Sequence, residues 1–452
     1  MKILIAGCGK VGEVLIKQLV AEKNDVTVID SSAKRLERLT EQYDVIAVQG
    51  NGASIETLKQ AGAEQADLMI VATGSDEINL LCTMTAHGLN PQIHTIARIR
   101  NPEYVKQAYS MRDIFGLSLS FNPERQAALE IERLLKFPGF LKRDSFAKGR
   151  VEIVELKIDA ASKLCGVSLI AMNSIIKCRA LVCAVLRDGN AIMPGGNFTL
   201  EAGDRIFVTA TRKDLAIMMK NLGIVTHKAR RIIVAGGGAI SYYLAQALED
   251  DRIGVTVIER DPDRCQKLAE LLPHVNIIHG NAADQDLLES EGLSDCDALV
   301  TLTESDEQNV IVSMFGNSRK VPQIITKLDH MEDAKILDSL PVGSVICPKR
   351  LSCNTILRYV RAMQARTGGA LTIHTIADGR AEALEFPVDK ETPFCGVPLK
   401  ELKLKKNLLI VCINRGSSTE IPRGDSTFLP GDSVVVVTDK TNLILHLGDI
   451  FE

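Results

Sequence analysis

Short continuous runs of Val, Ile and Leu punctuate this chain, and the stretches between them carry apolar residues every three or four positions. In the first hundred residues the runs are 2–6, 25–29, 45–48, 68–72 and 94–99, with Val11, Val14, Leu15 and Leu19 setting the spacing between the first two. Buried strands alternating with amphipathic helices predict βαβ units on a parallel, doubly wound sheet. Residues 231 to about 346 repeat the rhythm.

Residues 122–137 keep a helical spacing through Leu129, Ile131, Leu134 and Leu135 until Pro138-Gly139, which predicts a helix and then a hinge. The counterpart, 351–366, carries Ile356, Leu357, Tyr359, Val360 and Met363 and ends at Gly368-Gly369. Segments 151–224 and 371–452 then change character: runs such as 205–210 and 433–438 follow Gly-Asp turns, with few helical stretches, and read as compact α+β modules.

The chain repeats itself. Gly7-Cys8-Gly9-Lys10-Val11-Gly12 returns as Gly236-Gly237-Gly238-Ala239-Ile240-Ser241, and Val26-Thr27-Val28-Ile29-Asp30 returns as Val255-Thr256-Val257-Ile258-Glu259. Gly50-Asn51 and Ser75-Asp76-Glu77 come back as Gly280-Asn281 and Ser305-Asp306-Glu307. Cys165-Gly166-Val167 comes back as Cys395-Gly396-Val397, and Gly203-Asp204 as Gly431-Asp432. Order and spacing held over so many blocks mean that one unit of about half the chain has been duplicated.

The glycine turn carries the chemistry. G-x-G-x-x-G directly after a strand and opening a helix, with an acid closing the next strand, is the fingerprint of a dinucleotide crevice. Gly7 permits the tight turn, Gly9 lets backbone amides approach a pyrophosphate at the helix N-terminus, and Gly12 lets the helix pack closely. Asp30 stands where a carboxylate accepts hydrogen bonds from ribose hydroxyls and would repel a 2′-phosphate, favouring NAD or another adenine nucleotide over NADP. The fold expected is therefore α/β: two doubly wound Rossmann-type parallel-sheet domains, each followed by a small α+β domain, with limits 1–123, 143–227, 230–348 and 368–452.

In the second copy Gly236, Gly238 and Glu259 persist, but Ser241 replaces Gly12 and Arg260 follows the acid. A different nucleotide, or an empty site kept for assembly, are both compatible with that. Thr73-Gly74 and Thr303 fall at the carboxyl edge of the sheet, where ligands bind. Ser75-Asp76-Glu77 reads first as a helix cap. Arg98, matched by Lys327, either reaches a phosphate or is a solvated strand-end charge.

Composition narrows the function. With 53 Lys and Arg against 57 Asp and Glu, no broad basic surface is expected for nucleic acid or anionic lipid. Eleven scattered cysteines without a C-x-x-C pair read as reduced core thiols of a cytosolic protein. Neither a signal peptide nor a span long and apolar enough for a bilayer is found, so direct membrane insertion is not expected. The eight histidines lack metal-ligand spacing, and no P-loop, nucleophile elbow or acid–base pair facing a nicotinamide stands out, so no catalytic and no metal-ligating residue is assigned. The basic group Lys136, Lys142, Arg143, Lys148 and Arg150 reads as a solvated linker, with partner docking as the second reading.

Together, the G-C-G-K-V-G opening with Asp30, the Gly50-Asn51 and Thr73-Gly74 positions, the tandem copy at Gly236 and the two modules with Gly-Asp turns resemble the TrkA family, regulators of Trk potassium uptake built from tandem RCK (KTN) domains. The resemblance implies a cytoplasmic protein, peripheral on the inner face of the plasma membrane. It would assemble as a homotetrameric ring beneath a potassium-translocating membrane subunit and gate it without catalysis. It further implies that NAD(H), with ATP and ADP as further candidates, binds at Gly7, Cys8, Gly9, Lys10, Val11, Gly12, Asp30, Asn51, Thr73, Gly74 and Arg98. In the second copy the matching positions are Gly236, Gly238, Ala239, Ile240, Glu259 and Thr303. An NAD-dependent oxidoreductase, or a nucleotide-sensing regulator of another cation transporter, stand as alternatives.

Overall fold

A computed structural model describes all residues except 137–141, 147–150, 225–228, 252, 331–339, 365–369, 417, 440, 442–443 and 445. Two compact units form, one from residues 1–129 with 347–357 and the other from 130–346 with 358–452.

In the first unit the expected alternation is β1 (Lys2–Ala6), α1 (Lys10–Ala21), β2 (Asp25–Asp30), α2 (Ala33–Gln42), β3 (Ile46–Gln49), α3 (Ile55–Gln60), β4 (Leu68–Val71), α4 (Asp76–Leu89), β5 (His94–Arg98), α5 (Pro102–Ser110) and β6 (Leu119–Phe121). The sheet is parallel in the order β3-β2-β1-β4-β5-β6, that of a dinucleotide-binding Rossmann fold. Buried Leu4, Ala6, Val48, Met69, Val71, Cys82 and Ala86 form a core between the sheet and its helices. Strand β6 was not expected: three residues at a sheet edge are too few to show a period.

Helix α6 (Pro123–Lys136) follows. Its first turns belong to the first unit, where Gln126 donates to Thr355 Oγ1 (3.3 Å) and accepts from Ser352 Oγ (2.8 Å). Its end belongs to the second unit, where Lys136 Nζ lies 2.7 Å from Glu132 and 2.6 Å from Asp251. Lys136 is thus an anchored cation and not a solvated linker charge. The expected hinges Pro138-Gly139 and Gly368-Gly369, the basic residues Lys148 and Arg150, the side chains of Lys142 and Arg143, and the expected limits at 227 and 368 lie outside the described residues.

The second unit begins its small module with β7 (Lys142–Phe146), β8 (Val151–Lys157), α7 (Leu169–Ile176), β9 (Ala180–Arg187), β10 (Asn190–Ile192), β11 (Arg205–Thr211) and α8 (Arg212–Leu222), an antiparallel sheet ordered β10-β9-β11-β8-β7. The second Rossmann half follows: β12 (Arg231–Ala235), α9 (Ala239–Leu248), β13 (Gly254–Glu259), α10 (Pro262–Leu271), β14 (Asn276–His279), α11 (Gln285–Ser290), β15 (Ala298–Thr301), α12 (Asp306–Ser318), β16 (Gln323–Lys327) and β17 (Ser344–Ile346). Its order, β14-β13-β12-β15-β16-β17, repeats that of the first. Helix α13 (Pro348–Gln364) leads to β18 (Thr372–Ile376), β19 (Ala381–Pro387), β20 (Leu408–Arg415), β21 (Ser418–Glu420) and β22 (Ser433–Thr438), again antiparallel.

The two small sheets share one core. Phe146, Val151, Ile153, Cys183, Ala184, Leu186 and Phe207 pack with Ile376, Ala383, Val411, Cys412, Val435 and Val437. The opposite face of each sheet carries its own cluster, around Val154, Met172 and Met218 in one and Phe386, Phe428 and Val436 in the other. Both modules close on the same ion pair. Arg187 grips Asp204 with Nε and Nη2 at 2.7 Å and donates to Thr199 O, and Arg415 grips Asp432 at 3.0 and 2.8 Å and donates to Thr427 O. The Gly-Asp turns seen in sequence are half of this lock, and each Asp also accepts the backbone N–H of the residue three before it. Burial pushes the Asp204 carboxyl up, but the Arg187 guanidinium and the Glu201 amide outweigh it and hold the group below its ordinary range.

All eleven cysteines are free. Burial pushes the thiols of Cys8, Cys82 and Cys183 up to about 12, so they are poor nucleophiles.

Asp204 has the lower pKa when folded, so its contribution is present above the unfolded value, about 4, and is lost as pH falls through the folded value. Asp204→Asn should cost about 2–3 kcal/mol at pH 7. In urea unfolding the gap from wild type should narrow steadily below pH 4.

Candidate nucleotide-binding site

The site grows from the end of β1. Gly7 takes φ +93°, and a Cβ on it would stand 2.8 Å from the Ala72 carbonyl and the Thr73 nitrogen, so the turn presses on the end of β4 as only glycine allows. A Cβ on Gly12 would collide with the Gly7 carbonyl oxygen. Gly9 is the N-cap of α1, and no side chain caps that helix. Its first N–H groups therefore face the crevice, with Lys10 exposed and Val11 buried beside them.

Asp30 fixes the turn from the side. It is buried, accepts from the Cys8 N–H at 2.8 Å through Oδ2 and from the Ser32 N–H at 2.9 Å through Oδ1, and has Arg35 at 3.4 Å. The carboxylate is held in one orientation, with acceptor capacity to spare. Cys8 turns inward, with Sγ toward the Ile29 carbonyl. Asn51, beyond β3, spends its side-chain oxygen on the Ala53 N–H in a local turn.

The far wall is stapled by Asn79, to which the sequence reading assigned no role. Fully buried, it accepts from the Thr73 N–H (2.9 Å) and hydroxyl (2.6 Å) and donates to the Arg98 carbonyl (2.8 Å), tying the ends of β4 and β5. Thr73 thus has its amide, its hydroxyl and its carbonyl all engaged within the protein. Arg98 is no solvated charge: Nη2 donates to the Thr73 carbonyl, and Nε is buried without a hydrogen-bond partner. Burial lowers its pKa, Arg100 acts in the same direction, and Glu124 and Asp76 oppose them. Ser75 caps α4 through the Ile78 N–H, as the simpler reading held, while Asp76 Oδ2 accepts the Arg100 and Asn101 N–H groups.

The second copy rebuilds each part. Gly236 (φ +108°) presses on Leu302 and Thr303, and Gly238 caps α9 ahead of exposed Ala239 and buried Ile240. Glu259 accepts from the Gly237 N–H (2.6 Å) and the Asp261 N–H (2.9 Å). Asn309 binds the Thr303 N–H and hydroxyl and donates to the Lys327 carbonyl, and Lys327 Nζ donates to the Thr303 carbonyl (3.0 Å). Ser241, which broke the glycine pattern, donates its hydroxyl to the Gly236 carbonyl, the group that would exclude a Cβ in the first copy.

Two carboxylate-braced glycine turns on twin Rossmann halves, joined to small paired modules, define a tandem nucleotide-fold protein. The TrkA-N domain model matches residues 3–114 and 232–348, and the TrkA-C domain model matches 153–223 and 383–446. A Trk system potassium uptake protein TrkA homolog of Archaeoglobus fulgidus is 31% identical over 451 residues, covering 100% of both chains. The Trk system potassium uptake protein TrkA of Haemophilus influenzae is 31% identical over 452 residues, covering 98% of this chain and 97% of its own. This chain belongs to the TrkA family of Trk system potassium uptake proteins. Among solved structures it shares its fold with the GsuK RCK domain (TM-score 0.62, 16% identity, 97% of this chain and 92% of that one) and with the GsuK channel bound to NAD (TM-score 0.61, 17% identity, 97% and 77%).

Asn79→Ala should take its partner from the Thr73 amide and the Asn79 donor from the Arg98 carbonyl, and lower stability by about 2–3 kcal/mol, read by thermal unfolding. Asn79→Asp, which keeps the acceptor, should recover part of that loss.

Proposed function

We propose that this chain is a regulatory subunit that binds NAD(H) and adenine nucleotides in its Rossmann crevices and gates a Trk-type membrane potassium uptake system, making and breaking no bond itself. The carrying observation is the pair of crevices, each an uncapped helix N-terminus beside a buried carboxylate fixed by the glycine turn. The names of its relatives supply the potassium system, and the neighbour bound to NAD supplies the ligand class. Within this reading Gly7, Gly9 and Lys10 meet the pyrophosphate, Asp30 the adenine ribose, and the Thr73-Gly74 loop with Arg98 the far end.

An oxidoreductase would need a domain that encloses a substrate and presents an acid or base to the nicotinamide. Here both faces of each small sheet are spent on packing, one on the other module and one on its own core. That favours a conformational role for the modules.

The chain would sit in the cytoplasm at the inner face of the membrane, held by its partner, since no described helix is long and apolar enough to cross a bilayer. Homotetramer formation has a candidate surface in each copy. Helix α4 exposes Ile78, Leu81 and Met84, and α12 exposes Ile311 and Met314. Eight crevices in such a ring lower the demand on each: a swing from 1:99 to 99:1 needs about a 10⁴-fold preference in total, or about threefold per site.

Calorimetry decides the ligand. Asp30→Ala should weaken NADH binding at the first crevice about tenfold or more; unchanged binding, or oxidation of NADH by the purified chain on any offered substrate, would sink the reading. Leu81→Glu with Ile311→Glu should lower the mass found by light scattering from four chains toward one or two.

A further inference from the structure

The crevices share a design but differ where a ligand's phosphates would lie. After β4 the chain reads Thr73-Gly74-Ser75, and after β15 it reads Thr303-Glu304-Ser305. The flanking Thr and Ser are held identically in both copies, by Asn79 or Asn309 and by the cap of the next helix. Glu304 therefore occupies the backbone position of Gly74, at the carboxyl edge where the crevice opens.

Two further differences run the same way. Lys10, at the start of α1, becomes Ala239, and Arg100, two residues past β5, becomes Asp329. Lys327 Nζ lies 3.3 Å from Asp329, so its charge is already matched, while Arg98 has Arg100 for a neighbour and an Nε without a partner. Ser31 to Arg260 runs the other way, at the ribose end of the site.

Arg264 takes up the new acid. Its Nη1 lies 3.8 Å from Glu259 and 3.7 Å from Glu304, linking the ribose-end carboxylate to the loop after β15. In the first copy the matching Arg35 reaches Asp30 at 3.4 Å, and Gly74 has no side chain to offer it. What the second copy retains is the ribose acid and one helix N-terminus, enough for a nucleoside and a single phosphate. What it adds is a carboxylate on the loop after β15, at the mouth of the crevice and within reach of Arg264.

We propose that the second crevice selects an adenine nucleotide with one phosphate over a polyphosphate or dinucleotide, and that Glu304 sets this choice. The proposal rests on the reading that both crevices take nucleotides. Because the Glu304 side chain is 78% exposed, its field is screened, and the discrimination expected from it is about tenfold.

The test is a reciprocal exchange in the full chain. A Cβ on Gly74 meets nothing within 4 Å and Glu304 is exposed, so Gly74→Glu and Glu304→Gly should both fold, which circular dichroism checks. AMP, ADP, ATP and NADH are titrated calorimetrically, with Asp30→Ala silencing the first crevice or Glu259→Ala the second. With the first silenced, AMP should bind tighter than ADP and ADP tighter than ATP. Glu304→Gly should raise ATP affinity about tenfold and leave AMP nearly unchanged, and Gly74→Glu should lower ATP and NADH affinity at the first crevice by a similar factor. Equal affinity for AMP and ATP, a ratio unmoved by Glu304→Gly, or no binding at the second crevice in either form would overturn the proposal. None of those results touches the first crevice, whose role is decided by NADH binding to the Glu259→Ala chain.

Discussion

Each Rossmann half depends on one hydrogen bond, from the middle of the glycine turn to a buried carboxylate at the end of the next strand: Cys8 N–H to Asp30 and Gly237 N–H to Glu259. A buried carboxylate is costly unless its lone pairs are satisfied. The turn amide and the amide just past the strand satisfy part of that demand, and an arginine one helical turn along supplies a counter-charge. The arrangement ties the β1–α1 and β12–α9 turns to their neighbouring strands. The glycine positions follow from it, because a turn pulled this close to β4 or β15 has no room for a side chain at Gly7 or Gly236. Under the proposed function, structure and ligand affinity would rest on the same atoms.

How much of this was legible follows from the range of each interaction. The turn, the acid and the strand–helix rhythm are local and periodic, so they can be read from adjacent letters, and duplication doubles the signal. Asn79 and Asn309 cannot be read that way. Their importance lies in joining the ends of two strands, and nothing near them in sequence announces the Arg98 and Lys327 carbonyls as partners. Arg187 and Arg415 are a second case: the Gly-Asp turn was visible, but the arginine that locks it stands 17 residues earlier on another strand. Strands β6 and β17, three residues each at a sheet edge, leave no period to detect. Glu304 was in plain view and needed only a comparison of the copies residue by residue.

The small modules show how one sequence unit meets different demands. Both keep the sheet, the Arg–Asp lock and a bulge at matching places, at Cys183 in β9 and at Val411 in β20. The first adds α7 and α8 over its outer core, whereas the described residues of the second cover theirs with loops and short turns around Phe428, Leu447 and Phe451. What both keep is an apolar face turned to the other, with Phe146 and Phe207 in the first module set against Ala377, Ala381, Ala383 and the valines of the second. That face cannot change in one module without a matching change in its partner, because close-packed interiors tolerate neither cavities nor overlap. The outer face carries no such constraint within the pair.

The same asymmetry of constraint applies to the crevices, and it explains what a tandem chain can do that a homodimer of half-chains cannot. In a homodimer a change to one site is a change to both, because symmetry repeats it. Duplication within one chain removes that link while fixing the ratio of the two sites at one to one. Gly74 and Glu304 could then part company while the shared scaffold, the braced turn and the asparagine staple, stayed the same in both halves. If both sites bias one conformational equilibrium, linkage requires each ligand to alter the other's affinity by the same factor. Such a chain would then read the relation between two nucleotide pools and not the level of either alone. Under the proposal, that behaviour would follow from a handful of charge differences at the mouths of two otherwise matching folds.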